Sequence, residues 1–210
     1  MRIKICGITK LEQAKAITEL GISSLGFISV PESPRYISPT GIKEIINSLP
    51  LGVSSLGVFA NCPLKTIIET VTYSHLTGVQ LHGQESGEFC LQLRQELPQI
   101  EIIKAFRIQN RETLNTLEVY YPLVDTLLLD AYHPQVLGGS GQTINWQVLQ
   151  AFSPPLPWLL AGGLTPENIN IALSQVSPTG IDLSSGVENS PGDKDLLKVK
   201  RFLLRVRGVY

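Results

Sequence analysis

The stretch RIKICGITKLEQAKAITEL, residues 2–20, contains in miniature the pattern on which the fold turns. A short apolar run, RIKIC, stops at the turn CGITK and gives way to LEQAKAITEL. In the last segment apolar residues fall three and four apart, as one buried helical face requires. The same phrase returns down the chain. Further apolar runs are SSLGFIS (23–29), SSLGVFA (54–60), TGVQLH (77–82), EIIKAFRI (101–108), VDTLLLD (124–130), PWLLAGG (157–163) and TGIDLSS (179–185), which makes eight with the first. Helical patterns separate them, among them SPTGIKEIINSL, PLKTIIETVTY and DKDLLKVKRFLLRV. Ser38, Thr165 and Asp193 read as N-caps, the first two followed by proline at the first helical position.

Strand and helix in alternation imply parallel strands joined by right-handed crossovers. Eight units with nearly continuous apolar strands predict an α/β fold, a closed (β/α)8 TIM barrel, as a single domain over residues 1–210. An open doubly wound sheet would be announced by a glycine fingerprint after the first strand, and CGITK is not GxGxxG.

Composition narrows the function classes. Hydrophobic residues make up 43% and charged residues 17%, a globular balance that argues against extensive disorder. The formal net charge is −1 with no long basic run, so no nucleic-acid partner is expected. No window approaches the roughly 20 apolar residues of a spanning helix, and MRIKICGI is too short for a signal peptide, so no membrane partner is expected. Cys6, Cys62 and Cys90 leave one thiol unpaired under any bridging scheme and show no CxxC spacing. A reduced cytoplasm is the expected compartment, and a monomer is the simpler expectation for assembly.

In a barrel all C-terminal strand ends open onto one face, where such enzymes keep their sites. Those ends present Cys6, the loop VPESPRYIS with Arg35, Asn61, His82, Arg107, Asp130, Gly162 with Gly163, and Ser184, Ser185 and Gly186. The last two groups follow the seventh and eighth strands, where barrels commonly bind phosphate through backbone N–H groups. A glycine pair alone often only turns the chain; two such groups at adjacent strand ends favour phosphate. Asp130 is no simple helix cap, because AYHPQVLGGSGQTI follows it before Asn145, and the glycines there imply a mobile lid. Free cysteine is usually a core residue, and Cys90 fits that reading. Cys6, followed at once by Gly7 at the mouth, does not. His82 and His133 are further candidates, though three histidines in separate units make a zinc site improbable. Arg35 is either a bidentate carboxylate partner or a solvated loop charge. Lys104 and Lys4 lie too early in their strands for a Schiff-base lysine.

The motifs KICGIT, PESPRYIS, GVFAN, VQLHG, DTLLLDAY, GGSGQTINW, LAGGLTPENI and DLSSGVENSPGDKD resemble, in order and along nearly the whole chain, the phosphoribosylanthranilate isomerase family. The resemblance implies a cofactor-free Amadori rearrangement of a small phosphosugar in tryptophan biosynthesis. It makes Cys6 the general base and Asp130 the general acid, and sets Arg35, Asp182 and His82 around the anthranilate end. A neutral-pH base role asks the site to lower the Cys6 thiol pKa below its free value of about 8.5. Ser29 stands where the family usually has a bulky aromatic, and Gln142 and Asn145 where lysine and aspartate are common. The rival readings are the related histidine-pathway isomerase, which uses an aspartate in place of Cys6 and a second phosphate site, and a non-catalytic phosphate-binding barrel. Alternation along the first strand puts Lys4 on the same face as Cys6, inside the barrel, where it needs a carboxylate; Asp182 is the expected partner.

Overall fold

A computed structural model describes residues 1–131 and 145–208. The expected lid and His133 lie outside them, as does Gln142. The strands are β1 (Arg2–Cys6), β2 (Ser24–Ile28), β3 (Ser54–Phe59), β4 (Gly78–Leu81), β5 (Glu101–Ile108), β6 (Thr126–Ala131), β7 (Trp158–Leu160) and β8 (Gly180–Leu183). Each pairs in parallel with the next, and β8 returns to β1 with Asp182 opposite Lys4, closing the barrel.

Two apolar cores follow from the alternation of side chains along each strand. One parity, with Ile5, Leu25, Phe27, Leu81, Leu127 and Ile181, packs outward beneath the helices. The other fills the barrel with Leu56, Ile103, Ala105, Leu128, Leu159 and Ala161. The inward parity also carries the polar residues. At the start of the strands Arg2 donates to both oxygens of Glu101 at 2.5 and 2.9 Å, and to Ser24 and Ser54. That cluster sits at the N-terminal end, where barrels keep stability rather than chemistry.

The helices are α1 (Leu11–Glu19), α2 (Pro39–Ile46), α3 (Leu64–Ser74), α4 (Gly87–Glu96), α5 (Arg111–Asn115), α6 (Ile169–Gln175) and α7 (Leu196–Arg207). After β6 the crossover ends in a 3-10 turn, Trp146–Leu149, begun by Asn145, whose side chain accepts from the Gln147 N–H. Ser38 caps α2 as its sequence implies, accepting from the Gly41 N–H. Two expected caps are corrected. Asp193 lies in a short antiparallel hairpin, β9 (Glu188–Ser190) with β10 (Asp193–Lys194), and the cap of α7 is Asp195, which accepts from Leu197 and Lys198. Thr165 belongs to a turn closed by its N–H to Asn168 Oδ1 at 2.8 Å, and α6 begins only at Ile169. Asp193 is instead held by Lys10 and by Gln13, the latter at 2.9 Å, from the start of the chain, and at Thr165 a local turn takes up the N–H. Among the described residues no helix is long and apolar enough to cross a membrane.

Candidate active site

Cys6, Arg35, His82, Asp130, Asp182, Gly162, Gly163, Ser184, Ser185 and Gly186 all line one cavity of about 570 Å³ at the C-terminal mouth. Barrel closure brings them together, for they come from β1, β4, β6, β7, β8 and the loop after β2. The volume suits a small organic ligand.

The floor of the cavity rests on an ion pair. Lys4 is wholly buried and donates to Asp182 Oδ1 at 2.9 Å and to Gln80 Oε1 at 2.8 Å. The Cys6 thiol lies beside the same ammonium and feels its positive charge. Room for this arrangement comes from Gly26 on the neighbouring strand. A Cβ there would lie 2.7 Å from Cys6 Sγ and 3.0 Å from Lys4 Nζ. Burial works against the Lys4 charge, but Asp182 and Cys6 outweigh it and hold its pKa above the ordinary lysine value. Burial likewise pushes the Asp182 carboxyl up, with Lys4 pulling it back.

The expectation of a lowered Cys6 pKa is corrected. Burial pushes the thiol above its ordinary value, and the ammonium groups of Lys4 and Lys194 only partly offset this. Desolvation penalises the thiolate, and Asp182 adds a repelling negative charge.

Arg35 is buried and its head group meets a carboxylate of the protein itself. Nε and Nη2 donate to Glu188 at 2.8 to 3.1 Å, while Nη1 makes no hydrogen bond among the described residues. Glu188 also accepts from Lys194 Nζ at 2.6 Å and from the Gly192 N–H at 3.1 Å. Burial pushes the Glu188 carboxyl up, but Arg35 and Lys194 outweigh it, and its pKa lies below the usual carboxylate value. Lys194 is driven below the ordinary lysine value by its own burial. The hairpin thus braces Arg35 against the mouth, with the Nη1 edge uncommitted.

On the other side, His82 Nε2 lies 3.3 Å from Asp130 Oδ2 without hydrogen-bond alignment, and Nδ1 meets Gln80 Nε2 at 2.8 Å. His82 therefore stands beside Asp130.

At the ends of β7 and β8, Gly162 and Gly163 hold φ of 89° and 58°, the left-handed region that favours glycine. A Cβ on Gly186 would fall 1.9 Å from the Leu164 carbonyl, so the two loops touch backbone to backbone. The Ser184 hydroxyl is buried without a hydrogen-bond partner among the described residues. The short 3-10 turn Ser185–Val187 begins here, and its first N–H groups have no acceptor within the turn. This is a concave donor surface with no carboxylate among these loop residues.

Lys104 is placed away from the chemistry, on the outward parity of β5, bound to Glu85 at 2.9 Å. Asn61 braces the next loop, accepting from the Gln84 N–H at 2.7 Å. Gln80, Glu188 and Lys194 belong to the site without being among the residues that the sequence singles out. Gln80 was legible, being polar inside GVQLH and two residues before His82 on the same face. Glu188 and Lys194 carry no such signal.

The chain matches the family N-(5'phosphoribosyl)anthranilate (PRA) isomerase over residues 3–205. It is 56% identical to the N-(5'-phosphoribosyl)anthranilate isomerase of Rippkaea orientalis, with 99% of this chain and 96% of that protein covered. It is 58% identical to that of Trichormus variabilis, with 95% of each covered. The crystal structure of phosphoribosyl anthranilate isomerase from Thermotoga maritima superposes with a TM-score of 0.90 at 36% identity, over 99% of each chain. A crystal structure of such an isomerase in complex with reduced 1-(o-carboxyphenylamino)-1-deoxyribulose 5-phosphate superposes with a TM-score of 0.87 at 35% identity, again over 99% of each chain.

Proposed function

The chain belongs to the N-(5'-phosphoribosyl)anthranilate isomerase family, and from that premise we propose how its own residues carry the aldose–ketose isomerisation of tryptophan biosynthesis. Cys6 is the general base and Asp130 the general acid. The observation that supports this most is that Cys6 and Asp130, from β1 and β6, line one cavity together with the glycine loops after β7 and β8. A ligand with its phosphate at Gly163, Ser185 and Gly186 lays its sugar between acid and base. Its anthranilate carboxylate then reaches toward Arg35, whose Nη1 edge is uncommitted.

Protonated Asp130 donates to the furanose oxygen as the ring opens, and the substrate nitrogen becomes an iminium. The Cys6 thiolate then takes the proton from C2, giving an enolamine. Its hydroxyl proton is released as C1 gains one, leaving the ketone, and substrate and product have the same atoms. The substrate's nitrogen is the electron sink, so the steps call for no cofactor. Burial makes the thiolate scarce but also a stronger base, and Lys4 offsets part of its charge. The phosphosugar is the expected partner. The free thiols Cys6, Cys62 and Cys90 support a reducing compartment such as the cytoplasm.

The test is turnover of freshly prepared phosphoribosylanthranilate, followed by loss of its fluorescence. Cys6→Ala and Asp130→Asn should each lower kcat by about 10²–10⁴-fold while product affinity stays largely intact. Near-normal turnover in folded Cys6→Ala would end this assignment.

A further inference from the structure

Between the buried ion pair and the acid side of the mouth runs a polar chain: hydrogen bonds join Asp182, Lys4, Gln80 and His82, and Asp130 stands 3.3 Å beyond His82 Nε2. It crosses the barrel interior, because Lys4 stands on β1 and Gln80 on β4, which are not neighbours. Gln80 is its middle link, and almost no solvent reaches it.

The direction of every bond follows from chemistry. The Lys4 ammonium can only donate, so the Gln80 atom 2.8 Å away is the carbonyl oxygen. A reversed amide would set NH2 against NH3⁺ in a buried site. With Oε1 committed to Lys4, the Nε2 amide is the group 2.8 Å from His82 Nδ1, and it donates. Nδ1 must then accept through its lone pair, so a neutral imidazole carries its proton on Nε2. That nitrogen is the one 3.3 Å from Asp130 Oδ2, close to it but not aligned as a hydrogen bond.

We propose that Gln80 is a positioning residue, which passes the orientation set by the Lys4–Asp182 pair to His82 and so selects the tautomer whose Nε2–H faces Asp130. With the other tautomer, a nitrogen lone pair would face Asp130 and compete with the furanose oxygen for the proton that Asp130 delivers. The catalytic part of the inference rests on Asp130 acting as the acid. The tautomer part does not.

The experiment is ¹⁵N NMR of histidine-labelled protein. Only His75, His82 and His133 contribute, and single substitutions assign them. In the unsubstituted protein, His82 should show a protonated Nε2 and a bare Nδ1. Gln80→Glu keeps size and can still pair with Lys4, but its carboxylate only accepts, so the neutral His82 ring should invert to Nδ1–H. In the same variant kcat should fall about 10- to 100-fold with little change in KM, as misplacement of a catalytic proton does. A His82 found as Nδ1–H before any substitution refutes the proposal outright, and requires no variant to fold. An unchanged tautomer in Gln80→Glu also refutes it, and an inverted tautomer with undiminished kcat removes the positioning role. Failure of the acid–base assignment would instead appear as active Cys6→Ala or Asp130→Asn protein, with the His82 tautomer as stated.

Discussion

Replacing Lys4 by methionine probes how a buried ion pair supports the mouth. The side chain has no exposure, its Nζ holds Asp182 at 2.9 Å and Gln80 at 2.8 Å, and methionine fills a similar volume without charge. The variant leaves the Asp182 carboxylate buried and unpaired, a change that commonly costs about 3–5 kcal/mol. Losing the donor to Gln80 adds about 1–3 kcal/mol that does not depend on pH. The carboxylate part does depend on pH. Burial already pushes Asp182 up even with Lys4 in place, so without it the folded carboxyl rises further above its unfolded value. A group raised on folding contributes stability below its unfolded pKa and loses it as pH rises toward the folded one. The deficit of Lys4→Met should therefore be smallest in acid and, once Asp182 ionises in the unsubstituted protein, grow by about 1.4 kcal/mol per pH unit until Asp182 ionises in the variant's fold. A gap of about three units between the two folded pKa values corresponds to the 3–5 kcal/mol expected for an unpaired buried carboxylate. Urea unfolding between pH 4.5 and 8, with the slope checked for constancy, measures this directly. In Lys4→Met combined with Asp182→Leu, the pH dependence should vanish and most of the loss return. A deficit that is flat with pH, or below about 1 kcal/mol at pH 7, would refute this account of the pair.

Two further outcomes are expected. Glu188→Gln should cost about 3–5 kcal/mol at pH 7, because Arg35 and Lys194 lose their common anion. The Glu188 carboxyl lies below its unfolded value, so its contribution is full above about pH 4.3 and lost as pH falls. The variant's deficit should be flat above about pH 4.3, where that of Lys4→Met still changes, and shrink only below it; a deficit growing in acid would refute the bracing role. Gly186→Ala should weaken binding of inorganic phosphate by calorimetry and raise KM, since its Cβ would meet the Leu164 carbonyl at 1.9 Å. Gly52→Ala, at φ 88° with open space around it, should bring backbone strain without that loss. Equal phosphate affinity in both variants would separate the β7–β8 loops from the anion.

How far the sequence reaches is clearest on β1. RIKIC alone puts Arg2, Lys4 and Cys6 on one face, because side chains alternate in a strand whatever surrounds it. The repeat of strand and helix likewise determines eight parallel strands, and strand ends determine which residues reach the mouth. Placing Asp182 beside Lys4 needed only the further rule that a barrel closes, so that β8 meets β1. These are local periodicities, and local sequence carries them.

What tertiary structure alone decides is which polar groups meet across the barrel and what burial does to them. Gln80 and Lys4 are 76 residues apart and on non-adjacent strands, and their bond exists because Gly26 leaves space where a side chain would stand. Arg35 meets Glu188, 153 residues away, through a hairpin that occupies a stretch read from sequence as the start of a helix. The Cys6 thiol lies above its ordinary value, not below it, because desolvation outweighs two nearby ammonium groups. A pattern of residue types encodes which groups share a face; the depth of burial and the balance of charges around them arise only once the chain has closed.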